Sequence, residues 1–166
     1  LRTFDGLCDV AELRARVARL ERDPNVARAM KEEERWDAYE RRYVEETLSR
    51  IGAIFGALRQ QDAAVVPGRV ARELRIAELQ RRAKRAGAEG AAARRLLEAV
   101  YSQLAFYIPR QFAERREDRF AVASLTLATT IFPDRAGTWN ALADAYARLG
   151  DARREAEARK KGEQFK

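Results

Sequence analysis

Histidine is absent from the sequence. That excludes Ser-His-Asp and Cys-His nucleophile arrangements and every Glu-x-x-His metal motif. Cys8 is the single cysteine, so no disulfide can form within the chain. It stands in Asp-Gly-Leu-Cys-Asp without the small-residue context that precedes a lipid-modified cysteine, and a free thiol is expected. There is no CxxC pair and no phosphate-cradling glycine loop. No apolar run reaches the roughly 18 residues that a membrane-crossing helix needs. With 9 Gly and 4 Pro, a loop-rich fold is disfavoured. Lysine is confined to Lys31, Lys84, Lys160, Lys161 and Lys166, and arginine supplies the rest of the 33 basic residues. A GC-rich, bacterial genome would produce that bias.

What remains is a chain 46% hydrophobic and 36% charged, the balance of long helices with one buried and one solvated face. At 166 residues it forms one domain, or a helical domain with an appended helix pair, and buries roughly 70% of its unfolded surface. The net charge of +7 favours association with anionic partners without specifying a fold. The sequence opens at Leu1 rather than methionine, as a processed or excised chain would, so the compartment is left open.

Every segment reads as helix. Asp9 is placed to cap a short helix with apolar positions Val10, Leu13, Val17 and Leu20. Asp23-Pro24 then supplies an N-cap and a proline at the first helical position. A long helix is expected over about 26–58, with a stripe through Met30, Trp36, Tyr39, Tyr43, Val44, Leu48, Ile51, Ile54, Phe55 and Leu58. Trp36, Tyr39 and Tyr43 could form a binding patch, but they have the spacing of a core stripe. Residues 60–68 read as a linker ending in the turn Val66-Pro67-Gly68. A charged helix over 69–86 has a thin apolar set, Val70, Leu74 and Ala77, with Ile76 and Leu79 off the stripe, and is expected at an edge. Gly87 to Gly90 reads as a break. The most hydrophobic helix lies within 91–116, and Pro109 is expected to kink or end it. The division is an N-terminal helical segment, 1–66, and a helical region, 67–166.

The last third carries a pattern. Trp139, Leu142, Ala143, Ala145, Tyr146, Gly150 and Asp151 are spaced as one helix and its turn, with Trp139, Leu142 and Tyr146 on a single stripe. Ala121 and Ala128 share a face of the preceding helix, and Pro133 stops it. Gly150 and Asp151 provide a left-handed cap followed by an N-cap. This resembles the tetratricopeptide repeat, over about 118–165 and for about one and a half repeats. The small residue expected at Glu155 is instead Ala156, and the earlier first helix shows only Ala105, Ile108, Pro109 and Phe112. The resemblance implies an all-α fold of about six helices, with antiparallel pairs in an α-α superhelical array. It implies a protein or peptide partner in a groove formed by Asn140, Asp144 and Arg148 with Phe106 and Arg110. Phe106 and Asp144 replace the lysine and asparagine of the family's carboxylate clamp, so that particular ligand is not expected.

The second candidate is the basic set Arg69, Arg72, Arg75, Arg81, Arg82, Lys84 and Arg85, offset by Glu73 and Glu78. Such a helix can track phosphates of a nucleic acid or another polyanion, although no aromatic residue interleaves it. Glu32 to Glu34 and Glu45-Glu46 are neighbours in sequence and point apart on a helix, so together with Lys31, Arg35, Arg41 and Arg42 they read as ordinary ion-paired surface. No catalytic residue, cofactor or metal is assigned. The expected role is a non-catalytic protein-interaction scaffold or adaptor, with polyanion binding as the alternative and self-association through the long aromatic helix as a third possibility.

Overall fold

A computed structural model of the protein describes residues 10–57 and 64–165, and every regular element among them is helical. Ten α-helices follow in order: α1 Val10–Glu21, α2 Pro24–Glu46, α3 Ile51–Ala57, α4 Val66–Glu73, α5 Ile76–Ala83, α6 Gly87–Ser102, α7 Ile108–Glu114, α8 Asp118–Ile131, α9 Ala136–Arg148 and α10 Ala152–Glu163. Because α2 runs on into α3 and α6 into α7, they form 8 helices in space, against the about six expected. The expected caps at Asp9 and part of the 60–68 linker lie outside the described residues.

Asp23 caps α2, its side chain accepting from the Asn25 N–H at 2.8 Å, with Pro24 at the helix start. The helix expected over 26–58 runs from Pro24 to Ala57 with one local change after Glu46. The chain tightens into a 3-10 turn at Leu48–Arg50, which brings both Leu48 and Ile51 inward together with Phe55.

The charged helix over 69–86 is two helices. Arg75 adopts a left-handed conformation, φ 51° and ψ 39°, between α4 and α5. Along one straight helix Ile76 and Leu79 fall off the stripe of Val70 and Leu74. The turn at Arg75 rotates the second half, so Val66, Val70, Leu74 and Leu79 are all fully buried and Ile76 nearly so. A left-handed arginine costs about 1–2 kcal/mol, and burying each of those side chains returns about 1.5–3 kcal/mol. This pair therefore sits in the main core and not at an edge. The Leu74 carbonyl at the end of α4 is satisfied from α2, where the Tyr43 hydroxyl donates to it at 2.6 Å.

Gly87 to Gly90 is the first turn of α6, not a break. Gly87 has φ +74°, and a Cβ on Gly90 would lie 1.8 Å from the Arg85 carbonyl oxygen. Only glycine at position 90 lets the end of the α5 segment approach so closely.

Pro109 does not end its helix, which continues to Glu114. The backbone widens into a π-helical segment, Gln103–Tyr107, in which the Ile108 N–H donates to the Gln103 carbonyl five residues back. In that pattern the Leu104 carbonyl would take the N–H of residue 109, which proline lacks. Buried Ser124 on α8 supplies the missing donor, its hydroxyl reaching the Leu104 carbonyl at 2.8 Å.

The main core gathers Tyr43, Phe55, Val70, Leu79, Leu96, Val100, Leu104, Phe112, Phe120 and Leu127, so α2 to α8 close around one interior. A smaller cluster of Leu125, Leu142, Ala143, Ala145 and Ala158 joins α8, α9 and α10. As the spacing predicts, Gly150 is left-handed at φ 73°. Asp151 caps α10, its side chain accepting the Arg154 N–H at 3.0 Å. The Asp151 N–H returns to the Tyr146 carbonyl at 3.0 Å, the bond of a glycine-terminated helix end.

Candidate functional site

Helices α8 and α10 flank α9 and leave a groove of about 610 Å³ between them. Trp139, Leu142 and Tyr146 form its floor because residues three and seven apart share a helix face. Thr126, Thr129 and Thr130 form one wall, and Arg154, Glu157, Ala158 and Lys161, at the same helical spacing, form most of the other with Lys160. Thr129 and Thr130 donate their hydroxyl hydrogens to the Thr126 carbonyl at 3.0 and 2.8 Å, so they face a ligand as acceptors only. Trp139 Nε1 is spent on the Pro133 carbonyl at 2.7 Å, which fixes the ring as an apolar surface.

The opposite wall is cationic. Arg154 lies 5.8 Å from the Tyr146 ring centre and 3.5 Å from Asp151. Glu157 is paired with Arg153 at 3.1 Å. Lys160 and Lys161 are exposed and have no carboxylate partner among the described residues. The floor was legible as a stripe in the sequence. The walls were not, because nothing in a linear pattern shows which faces of α8 and α10 stand across from one another.

The groove residues drawn from the resemblance take different places. A Cβ on buried Gly162 would come within 2.6 Å of the Asn140 side-chain oxygen, and Asp144 pairs with Arg159 at 3.1 Å. Both therefore pack against the other flank of α10. Arg148 reaches back to Asp118 at the start of α8, 2.6 Å away. Phe106 is exposed in the π-helical segment, with its ring edge against Tyr101, and Arg110 pairs with Glu114 along α7. Among the described residues no hydrogen bond or ion pair joins the three α9 residues to Phe106 or Arg110.

The seven basic residues are divided by the turn at Arg75. Arg69 and Arg72 lie on α4, Arg81 and Arg82 on α5, and Lys84 and Arg85 follow it. Arg82 is drawn into the structure: it pairs with Glu78 at 2.7 Å and Glu89 at 2.8 Å, and lies over the rings of Trp36 and Tyr39 at 5.1 and 5.3 Å. Its hydrogen bond to Glu78 raises its pKa further, so it stays charged. Arg85 pairs with Glu89 at 2.8 Å, and that bond holds the Glu89 carboxyl below the usual range. Arg69, Arg72, Arg75, Arg81 and Lys84 are exposed, but the turn at Arg75 divides them between two segments instead of one helical stripe.

The neighbouring helix carries cations that composition alone did not single out. Arg35, Trp36, Ala38, Tyr39 and Arg42 on α2, with Arg82, line a depression of about 350 Å³. Trp36 Nε1 and the Tyr39 hydroxyl are buried without a hydrogen-bond partner, an unusual state that costs about 1–3 kcal/mol per group. Burial, with the Glu78 charge next, raises the Tyr39 pKa. The i, i+3, i+4, i+7 spacing of Arg35, Ala38, Tyr39 and Arg42 is the available signal; the aromatic spacing favours core over a binding patch, and Arg35 and Arg42, expected in an ion-paired surface, form no ion pair among the described residues. No group of three or more His, Cys, Asp or Glu able to hold a metal occurs among the described residues. No described helix is long and apolar enough to cross a membrane.

Comparison with protein families, with curated proteins and with solved structures gave no match.

Proposed function

We propose that the protein is a non-catalytic protein-interaction module, a scaffold or adaptor, in which α8 to α10 act as a tetratricopeptide-like array of about one and a half repeats. The partner segment lies along α9, in the groove between α8 and α10. One observation carries this reading: an apolar floor of Trp139, Leu142 and Tyr146 lies beside a wall in which Arg154, Lys160 and Lys161 outnumber the already paired Glu157. That surface complements an amphipathic segment with apolar side chains on one face and carboxylates on the other. The repeat-like order of α8, α9 and α10, the buried small residues Ala121, Ala128, Ala143 and Ala145, and the Gly150-Asp151 turn support the array.

Selection from a display library of random peptides tests the assignment. Peptides rich in Asp or Glu alternating with Leu or Phe should be enriched. Their affinity should fall about tenfold or more, equivalent to about 1.4 kcal/mol, in a Lys160→Glu/Lys161→Glu variant. Enriched peptides that bind this variant as tightly as the parent chain would remove the groove from consideration.

A further inference from the structure

We propose that the depression between α2 and α5 is a binding site for a small organic phosphate, a phosphomonoester whose dianionic group is held by Arg35 and Arg42. The lining residues are Arg35, Trp36, Ala38, Tyr39, Arg42 and Arg82, so three guanidiniums and two aromatic rings meet there and no carboxylate lines the space. Arg35 and Arg42 are separated by seven residues on one helix, so they stand about 10 Å apart along one face with Ala38 and Tyr39 between them. Both are exposed, and among the described residues neither forms an ion pair, although Glu32 and Glu46 lie three or four positions away along the same helix. These two leave their donors free and directed at a common hollow.

Arg82 plays a different part. Glu78 and Glu89 hold it from behind at 2.7 and 2.8 Å, and its guanidinium covers the Trp36 and Tyr39 rings. It is fixed in place as the positive back wall of the site. Arg35 lies 5.1 Å from the Trp36 ring centre on an exposed side chain, so it can leave the ring for a ligand. Beneath these cations lie the two polar atoms without partners, Trp36 Nε1 and the Tyr39 hydroxyl. Both are hydrogen-bond donors that an oxyanion in the depression would satisfy. Planar guanidiniums match the paired oxygens of a phosphoryl group, and with no acid in the lining a dianion is favoured over a single carboxylate. The volume of about 350 Å³ exceeds what a phosphate alone fills. Exposed Ala38, between the two arginines, leaves room for a flat organic substituent.

The assignment is independent of the α8–α10 groove and stands or falls separately. The two tryptophans, Trp36 and Trp139, give an internal comparison. The indole N–H resonances of ¹⁵N-labelled protein would be followed while phenyl phosphate, inorganic phosphate or benzoate is added at constant ionic strength. With phenyl phosphate the Trp36 resonance should move to saturation while that of Trp139 stays in place. Inorganic phosphate and benzoate should each bind about tenfold more weakly or less. An Arg35→Gln/Arg42→Gln variant should lose the saturable shift, and an Arg72→Gln/Lys84→Gln variant should keep it. Parallel movement of both indoles, linear shifts without saturation, benzoate binding as tightly as phenyl phosphate, or unchanged binding in the Arg35→Gln/Arg42→Gln variant would each overturn the site.

Discussion

Ser124 shows how one side chain can answer for another residue's backbone. Pro109 has no N–H, the π-helical turn leaves the Leu104 carbonyl without its ladder partner, and the Ser124 hydroxyl completes the bond at 2.8 Å in a fully buried position. Removing only the hydroxyl strands a buried carbonyl, so Ser124→Ala should cost about 1–3 kcal/mol in chemical denaturation. In a Pro109→Ala background the new N–H can take over, and the same change should cost about 1 kcal/mol less. Strictly additive costs across this double-mutant cycle would show that the two residues do not share the bond. Neither partner was identified as such in the sequence. Pro109 reads as a kink or an end of its helix and Ser124 carries no signal, because their relation spans two helices.

Among the elements, the α4–α5 pair depends most on one residue. Its left-handed turn at Arg75 is what faces Ile76 and Leu79 into the same core as Val70 and Leu74. Glycine adopts that conformation without the steric cost of a Cβ, at an entropic cost of about 0.5–1 kcal/mol. Arg75→Gly should therefore leave stability unchanged or raise it by up to about 1 kcal/mol. Arg75→Val, branched at Cβ, should lower it by more than about 1 kcal/mol. Urea midpoints at unchanged m-value would measure both, and equal midpoints for the two variants would contradict the left-handed turn. The hydrophobic periodicity here was real but read as one thin stripe. Two shorter stripes joined by a turn look the same in sequence when the turn residue is an arginine.

For the whole molecule, the missing histidine sets the pH behaviour. No side chain has an ordinary pKa between about pH 5 and 8, so the melting temperature should be flat from about pH 6 to 8. The alkaline limit is different. Burial, reinforced by nearby Tyr39, pushes the Tyr43 phenol well above its usual value. A group whose folded pKa is raised keeps its full contribution below its unfolded pKa, about 10 for tyrosine, and loses it as pH rises further. Tyr43→Phe removes the bond to the Leu74 carbonyl and should cost about 1 kcal/mol at pH 7. Its deficit relative to the parent chain should shrink above about pH 10, which thermal melts across that range would check. An unchanged deficit at high pH would mean Tyr43 titrates normally in the fold. The sequence by itself determined the all-helical class, the Asp23-Pro24 start, the Gly150-Asp151 turn and the exclusion of histidine chemistry, since each depends on residues adjacent in the chain or one helical turn apart. Only the tertiary structure decided that Arg82 is a half-buried, twice-paired cation while Arg35 and Arg42 form no ion pair among the described residues, that Ser124 serves Pro109, and that Asn140 faces Gly162. Those relations depend on which helix faces meet, and equivalent arginines and alanines repeated along one chain do not encode that choice locally.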